Sequence, residues 1–244
     1  MRIIPVIDIL GGIAVQAKRG ERETYRPLRS RICDGADPVD VAAAFKSLGF
    51  GELYVADLDA IMGRGDNLSL LTAIARRSGM RLMVDAGISD IPRAGRVIEA
   101  GASKIIVGTE TLRGLGSLAG IVDAFRGDGV IVSIDIVKGK VLSRSAEVRR
   151  LSPVTLARKL EEMGVSELIV LELSRVGSNL GADVVLGGKV AREVTIPVIV
   201  GGGVRDAFDV LEISRAGVAG VLVATALHNG RIAGKDLERL LRDK

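Results

Sequence analysis

The sequence predicts an α/β fold in which eight parallel strands, each followed by a helix, close into a barrel. Short apolar runs rich in Ile and Val alternate with segments of helical periodicity along the 244 residues. The connections between them are mostly short, which favours a parallel sheet covered by helices. The second half of the chain repeats the order of the first. Eight such units in this length match the smaller TIM (β/α)8 barrels.

The first half contains four strand–helix units. Apolar runs predict strands at residues 3–9, 52–57, 81–85 and 104–108. Apolar residues three or four positions apart predict helices at residues 37–49, 67–79, 90–101 and about 117–126. The first helix illustrates the signals, because Asp37-Pro38 supplies an N-cap and a first-turn proline, and Gly49 ends it. The connection before it, residues 18–36, is longer and strongly basic.

The second half continues with four more units. Its predicted strands lie at residues 130–135, 167–172, 196–200 and 220–224. Its predicted helices lie at residues 152–164, 182–194, 206–217 and 235–241, and a short extra helix is expected at 225–229. Ser152-Pro153 and Gly164 mark the start and the end of the first of these helices.

Corresponding segments of the two halves also resemble each other in sequence. Two pairs match at the same offset of 116 positions: 100–109 with 216–225, and 85–88 with 201–204. The sequence therefore predicts one domain, 1–244, made of duplicated half-barrels at approximately 1–126 and 127–244. An open doubly wound sheet is the alternative, but it does not readily explain a duplicated four-unit half without a linker.

Composition favours a protein that binds a small anionic molecule. Aromatic residues make up only 2% of the chain and Trp is absent, so stacking on nucleic-acid bases is not expected. The net charge of +4 is a mild excess that suits small anions better than nucleic acid. A single cysteine, Cys33, and a single histidine, His228, exclude an internal disulfide and a Cys or His metal cluster. The sequence has no signal-peptide pattern and no membrane-spanning run, so we expect a cytoplasmic protein that binds no membrane.

Asp8 and Asp135 are the candidate catalytic residues. Each ends a buried apolar strand, and they occupy matching places in the two halves. An unpaired carboxylate is costly to bury, so its position at a strand end suggests chemistry. The carboxyl ends of barrel strands form the face that holds the active site, where these aspartates would act as general acid and base. Alternatively, they are structural acids paired with Lys18, Lys138 or Arg144.

A phosphate site is predicted in the loops after the seventh and eighth strands. Glycines there allow backbone N–H groups to approach an anion. The candidates are Gly202, Gly203, Ala224 and Thr225. Gly87 and Thr109 are candidates for a related site in the first half, but Asp85 stands where a glycine would admit an anion. We therefore predict one strong phosphate site and a weak or absent second one; glycine turns without a ligand are the alternative.

Further charged residues form a second tier of candidates, namely Asp57, Asp85, Glu172, Lys18 and Arg19. The three acids end strands, where such side chains often hold loops in place. The two cations belong to a segment with six basic side chains: Lys18, Arg19, Arg22, Arg26, Arg29 and Arg31. This basic loop, residues 18–36, is either a solvated surface segment or a lid that closes on an anionic ligand. The charge of Asp85 would repel a phosphate unless Arg81, Lys104 or Arg113 neutralised it.

Five short motifs spread along the chain match the pattern of one enzyme family. They lie at residues 4–8, 55–60, 106–109, 133–135 and 201–204 and read IPVID, VADLDA, IVGT, SID and GGGV. With them, nearly the whole chain resembles the HisA/HisF family of histidine biosynthesis. The resemblance implies a TIM barrel of two duplicated halves and an isomerase that converts an aminoaldose to an aminoketose by an Amadori rearrangement. It further implies Asp8 as general base, Asp135 as general acid, a phosphorylated small-molecule substrate, and no metal or organic cofactor.

The family's cyclase branch uses aspartates at the same two positions and takes ammonia from a glutaminase partner. This sequence departs from the isomerase pattern: Asp85-Ala86-Gly87 replaces three glycines, Leu171 replaces a threonine, and Ser143-Arg144-Ser145 stands near an expected Gly-Trp. The first loop resembles a divergent HisA/HisF-related branch of methanogens and methylotrophs. The sequence thus predicts an isomerase of a phosphorylated sugar-like molecule. The alternatives are an enzyme of one-carbon cofactor (methanofuran or tetrahydromethanopterin-type) metabolism and a non-catalytic phosphate-ligand binding protein.

Overall fold

A computed structural model describes residues 1–125 and 129–242, in which strands and helices alternate. The strands are β1 (Arg2–Leu10), β2 (Ile13–Gln16), β3 (Arg26–Pro27), β4 (Glu52–Asp57), β5 (Arg81–Asp85), β6 (Lys104–Gly108), β7 (Val130–Val137), β8 (Lys140–Val141), β9 (Glu167–Glu172), β10 (Val198–Gly201) and β11 (Gly220–Val223). The α-helices are α1 (Pro38–Ser47), α2 (Leu58–Met62), α3 (Leu68–Ser78), α4 (Ile91–Glu99), α5 (Leu115–Ala124), α6 (Ala146–Arg149), α7 (Pro153–Glu162), α8 (Val184–Ala191), α9 (Ala207–Arg215), α10 (Thr225–His228) and α11 (Gly234–Arg242). None of these helices is long and apolar enough to cross a membrane.

Eight of the strands form a closed parallel barrel. Their order is β1, β4, β5, β6, β7, β9, β10 and β11. β11 returns to pair with β1, in parallel, from Arg2↔Gly220 to Pro5↔Val223, which closes the ring. With the helices around it, this is the predicted TIM barrel, and its closure rules out the open sheet. The duplication of two halves and the single domain at 1–244 stay predictions.

Side-chain caps explain where the helices begin. The carboxylate of Asp37 accepts hydrogen bonds from the N–H groups of Val39 and Asp40 in the first turn of α1. The hydroxyl oxygen of Ser152 accepts one from the N–H of Thr155 in α7. Both helix starts agree with the sequence prediction, because a cap followed by proline leaves few other local structures.

Some element boundaries differ from the prediction. β10 begins at Val198 and not at 196, because the N–H of Ile196 donates to Glu161 Oε1 instead of to a neighbouring strand. α8 is shorter than the predicted helix at 182–194, since Asp183 caps its first turn. The predicted end of α5, at residue 126, lies outside the described residues. The short elements α2, α6, β2, β3 and β8 are too brief for their periodicity to be recognised in the sequence.

The barrel interior is filled by a layer of side chains to which every barrel strand contributes. Its members are Ile4, Tyr54, Met83, Ile106, Ile131, Ile169, Ile199 and Leu222. All of them are buried, as the layered interior of such barrels requires. A larger apolar cluster lies between the strands and the helices and includes Phe45 and Phe50 in edge-to-face contact. The interior layer forms the floor beneath the cavity described below, which Tyr54 and Leu222 also line.

Ion pairs join the amino-terminal ends of the barrel strands. Glu167 on β9 pairs with Arg2 on β1 and with Lys104 on β6. Glu52 on β4 pairs with Arg2 and with Arg81 on β5. Interactions at this end of a TIM barrel serve stability, while the opposite end carries the site.

Candidate active site

A cavity opens at the carboxyl ends of the barrel strands, where the fold predicts the site. The cavity brings together seven of the predicted site residues: Asp8, Asp85, Asp135, Gly202, Gly203, Ala224 and Thr225. The other predicted residues lie outside its lining: Gly87, Thr109, Asp57, Glu172, Lys18 and Arg19. The basic loop contributes Arg22, Tyr25 and Arg29 to the wall.

Three aspartates lie at or near the carboxyl ends of different barrel strands: Asp85 is the last residue of β5, while Asp8 and Asp135 each lie two residues before the end of β1 and β7. β1 and β7 are four strands apart in the ring, so Asp8 faces Asp135 across the mouth. Asp85 and Asp135 flank Gly108, the last residue of β6. A Cβ atom on Gly108 would lie 3.1 Å from Asp85 Oδ2 and 3.0 Å from Asp135 Oδ2. The missing side chain therefore lets these two carboxyl groups approach each other.

Asp135 is held in place by four hydrogen bonds. Its Oδ1 accepts from the Ser133 hydroxyl at 2.8 Å, and its Oδ2 accepts from the N–H of Glu110 at 3.0 Å. Its own N–H donates to Thr109 Oγ1 at 2.9 Å, and the Thr109 hydroxyl lies 3.5 Å from Asp135 Oδ2. Thr109 is fully buried, so in this structure it orients Asp135 and does not face a ligand.

Asp8 has a freer carboxyl group. Within the described residues no protein group donates a hydrogen bond to it, and no ion pair joins Asp8 or Asp135 to Lys18, Lys138 or Arg144. The alternative that both are structural acids held by those cations therefore has no support in the contacts. A carboxyl group without a fixed partner can exchange a proton with a ligand in the cavity.

Burial raises the pKa of all three aspartates. The pKa of Asp8 is raised to about 7, although the charge of Arg22 opposes the shift. The pKa of Asp85 is raised to about 8, with a further contribution from Asp135, and that of Asp135 to about 6. Near neutral pH the cluster thus holds both protons and negative charge, as acid–base catalysis requires. No group of three His, Cys, Asp or Glu side chains in the described part of the chain has the arrangement of a metal site.

An ion pair between Arg22 and Glu110 lies at the mouth of the cavity. Arg22 Nη1 donates to Glu110 Oε1 at 2.8 Å, and Nη2 donates to Oε2 at 2.5 Å. Arg22 belongs to the basic loop and Glu110 to the turn after β6. Sequence reasoning singled out neither as a site residue, although Glu110 directly follows the candidate Thr109.

Four residues form what we call the amide end of the cavity: Gly202, Gly203, Ala224 and Thr225. Within residues 1–125 and 129–242, no protein group accepts a hydrogen bond from their backbone N–H groups. The turn requires glycine, since φ is +89° at Gly203 and a Cβ atom there would lie 2.6 Å from the carbonyl oxygen of Gly181. Unpartnered amides grouped around a cavity suit an anion such as phosphate.

Comparison with known proteins places the chain in a family. The family described as histidine biosynthesis proteins matches residues 2–233. The chain belongs to this family. An uncharacterized protein of Methanocaldococcus jannaschii is 34% identical, over 99% of this chain and 98% of that protein. Two 1-(5-phosphoribosyl)-5-((5-phosphoribosylamino)methylideneamino)imidazole-4-carboxamide isomerases are also similar. The enzyme of Granulibacter bethesdensis is 33% identical, and the match covers 94% of this chain and 93% of that enzyme. The enzyme of Thermus thermophilus is 31% identical, and the match covers 97% of this chain and 98% of that enzyme. The predicted resemblance to HisA/HisF is confirmed.

Two departures of the chain from the isomerase pattern lie in the cavity wall. Asp85 and Leu171 both line it. Ser143 is buried outside the lining, where its hydroxyl oxygen accepts a hydrogen bond from the N–H of Ser145. The sequence differences at Asp85 and Leu171 therefore alter the space offered to a ligand.

The remaining predicted acids hold loops. Asp57 is fully buried, and its carboxylate accepts hydrogen bonds from the backbone and side-chain amides of Asn67, both at 2.8 Å. Glu172 accepts from the N–H groups of Lys138 and Gly139 in the turn between β7 and β8. These contacts give each acid a structural role at the end of its strand.

The basic loop is held beside the cavity by contacts that include two hydrogen bonds in addition to the ion pair of Arg22. The N–H of Arg19 donates to the carbonyl oxygen of Val176 at 2.8 Å, and Ser30 Oγ lies 2.9 Å from His228 Nδ1. His228 packs against Phe45, and burial lowers its pKa to about 4. The imidazole is therefore neutral at pH 7 and positions the loop. Closure of the loop on an anionic ligand stays a prediction.

Proposed function

We propose that this protein is an isomerase that acts on a phosphorylated, sugar-like molecule by Amadori-type acid–base chemistry, as in histidine biosynthesis. The observation that carries the proposal is the pair Asp8 and Asp135, which share one cavity and have pKa values raised toward neutrality. The two relatives named as isomerases support the reaction class. The phosphate of the substrate binds at the amide end, which holds the sugar between the two carboxyl groups.

The chemistry balances within the substrate. In an Amadori rearrangement, a proton delivered to the ring oxygen of an aminoaldose breaks the bond between that oxygen and C1, and C1 becomes an iminium. A base then removes the proton from C2, and the resulting enol gives the C2 ketone by losing its hydroxyl proton and gaining one at C1, so no external oxidant takes part. From the family resemblance, Asp135 delivers the first proton as general acid and Asp8 removes the second as general base. With pKa values of about 7 and about 6, Asp8 and Asp135 can each gain or lose a proton near neutral pH, so these values are compatible with either assignment of the two roles. Single variants separate the two assignments because each blocks a different step.

Complementation tests the pathway. A bacterial strain that lacks the histidine-pathway isomerase is transformed with the wild-type gene or with a gene that carries both Asp8→Asn and Asp135→Asn. Growth without histidine for the wild type, and none for the double variant, is the expected result. The purified wild-type protein should then convert the aminoaldose to the aminoketose. Absence of growth, together with absence of conversion by folded protein, would contradict the histidine-pathway substrate.

A second candidate is a family member with a different phosphorylated substrate, as in one-carbon cofactor metabolism. Asp85 favours it, because an acid occupies the place where the isomerase pattern has a glycine. This candidate predicts that the protein binds inorganic phosphate at the amide end but fails to complement the histidine strain. Phosphate binding that survives while no aminoaldose is turned over would support it.

A further inference from the structure

The turn around Asp85 offers fewer free amides to an anion than the amide end does. We call the part of the wall formed by Asp85 and Glu110 the acidic end of the cavity. Asp85 Oδ1 accepts the N–H of Gly87 at 3.1 Å, and Asp135 Oδ2 accepts the N–H of Glu110. The N–H of Thr109 donates to the carbonyl oxygen of Ser133. The backbone donors at Gly87, Thr109 and Glu110, which a phosphate could otherwise use, are therefore already occupied by protein groups.

The cations that could neutralise Asp85 are engaged elsewhere. Arg81 pairs with Glu52 and Lys104 with Glu167 at the opposite end of the barrel. The side chain of Arg113 is near Asp90, with Nη2 lying 3.9 Å from Asp90 Oδ2. Arg22 is the guanidinium that lines the cavity near Asp85, and it is bound to Glu110.

Carboxyl groups outnumber cations around this part of the cavity. Asp8, Asp85, Asp135 and Glu110 all line the cavity, against two guanidinium groups, those of Arg22 and of Arg29. Buried charges are stable when they are paired, so an excess of buried carboxyl groups is relieved either by protons or by a bound cation. The carboxyl groups of Asp85 and Asp135 lie on either side of Gly108, and burial together with this proximity raises the pKa of Asp85 to about 8, which favours a bound proton at pH 7. A ligand amine can replace that proton.

We infer that the substrate carries its phosphate at the amide end and presents a protonated amine to Asp85 and Glu110 at the acidic end. This inference rests on the proposed phosphate site and specifies the substrate class of the same cavity. A molecule with a phosphate at each end would meet carboxyl groups and occupied amides at one of them. The preferred ligand is therefore a monophosphate with an amine at the opposite end.

Crystals soaked in inorganic phosphate test the anion side of the inference. Wild-type crystals should hold phosphate at Gly203 and Thr225 and none at Asp85, while Asp85→Gly should gain a second phosphate beside Gly87. Phosphate at both ends of the wild-type cavity would overturn the inference and leave the proposed function intact. Phosphate at neither end would overturn the proposed site and the inference with it.

Calorimetric titration tests the amine side and does not depend on Asp85→Gly folding. The probes are glucosamine 6-phosphate and glucose 6-phosphate, which differ in one amine. The wild-type protein should prefer the amine by at least about tenfold at pH 7, and the isosteric Asp85→Asn should lose most of that preference, with its fold checked by circular dichroism. Equal affinities of the wild type for the two probes would overturn the inference. So would a preference that Asp85→Asn retains in full.

Discussion

The acidic end and the amide end of the cavity occupy matching positions of the chain but offer opposite chemistry. At the acidic end, Asp85 accepts the N–H of Gly87. At the amide end, the residue 116 positions after Asp85 is Gly201, which has no side chain, and the N–H of Gly203 has no acceptor within the described residues. Both turn glycines have positive φ, +64° and +89°. We therefore propose that the side chain at this strand end decides whether the following turn receives an anion.

The loops that follow β6 and β11 differ in charge in the same way as the turns that follow β5 and β10. The residue after Thr109 is Glu110, whose N–H is taken by Asp135 and whose carboxylate adds negative charge. The residue after Thr225 is the small, buried Ala226 in the first turn of α10. Phosphate chemistry can therefore be expected at one end of the cavity and cation binding at the other.

The largest expected effect comes from the catalytic aspartates, which belong to neither end. Asp8→Asn and Asp135→Asn should each lower turnover about 10²- to 10⁴-fold, because each removes a general acid or base. Asp59→Asn is the matched control, because Asp59 does not line the cavity. Its Oδ2 accepts hydrogen bonds from the N–H of Gly11 and from the side-chain amide of Asn67. Steady-state kinetics on folded variants checks this. Near-normal turnover of both variants would exclude the two-aspartate mechanism.

Gly201→Asp should convert the amide end into a second acidic end. Two like charges ~4 Å apart repel by about 4 kcal/mol at an effective dielectric of 20, so phosphate affinity should fall about 10²- to 10³-fold. The new Cβ would lie 2.8 Å from Leu171 Cδ1, a flexible side-chain end. Gly201→Asn has the same steric effect without the charge and serves as control. Equal phosphate affinity of the two variants in a titration would show that charge at this position does not matter.

The ion pairs at the bottom of the barrel should affect stability without changing either end of the cavity. Glu167→Gln should lower the free energy of unfolding by about 2 kcal/mol, because it leaves Arg2 and Lys104 without a full charge partner. Glu162→Gln, at an exposed site, is the control. Urea unfolding at pH 7 measures both. A loss of phosphate affinity in Glu167→Gln would contradict the separation of the two faces of the barrel.

The effect of Glu167→Gln should depend on pH. Burial alone would raise the pKa of Glu167, but the hydrogen bonds from Arg2 and Lys104 outweigh it and hold the pKa below its ordinary range. A lowered folded-state pKa means that the stabilisation is present above the pKa of the unfolded chain and is lost as the pH falls through the folded-state pKa. The wild type and the variant should therefore converge in stability in acid. A constant difference down to pH 2 would contradict this.

Arg22→Gln should produce the smallest change. The charge of Arg22 lowers the pKa of Asp8 and Asp135, so its removal should move the acid limb of the kcat/KM profile to higher pH by up to about one unit. Arg22→Lys keeps the charge and should leave the limb near its wild-type position. A pH–rate series on the three proteins measures this. An unchanged limb in Arg22→Gln would show that Arg22 does not act on the cluster.

The barrel was predictable because its signals are local. A strand end, a cap or a helix-stopping glycine is encoded within a few residues. Asp8 and Asp135 became candidates because each stands near the end of a predicted strand.

The roles of Asp57 and Asp85 were not predictable in the same way. Both end strands in the sequence, yet one bonds Asn67 and the other faces the cavity. That difference depends on which loop packs over each strand end.

Contacts between distant parts of the chain were also beyond local reasoning. Arg22 and Glu110 are 88 positions apart and meet because the basic loop lies across the barrel mouth. The sequence indicated that Arg81, Lys104 or Arg113 could neutralise Asp85. In the structure the cation near Asp85 is Arg22. Arg81 and Lys104 lie at the amino-terminal ends of their strands and therefore at the opposite end of the barrel. Charge composition alone does not reveal which cation reaches which acid.

A kinetic isotope effect at the reacting carbon tests the central claim most directly. The aminoaldose is prepared with hydrogen or with deuterium at C2, the carbon that loses its proton to the base, and the two turnover rates are compared. A variant that slows C–H cleavage should react more slowly with the deuterated substrate, whereas a variant that slows ring opening should not. The account predicts a large isotope effect with Asp8→Asn and one near unity with Asp135→Asn. An isotope effect near unity with Asp8→Asn would contradict the role of Asp8 as the base.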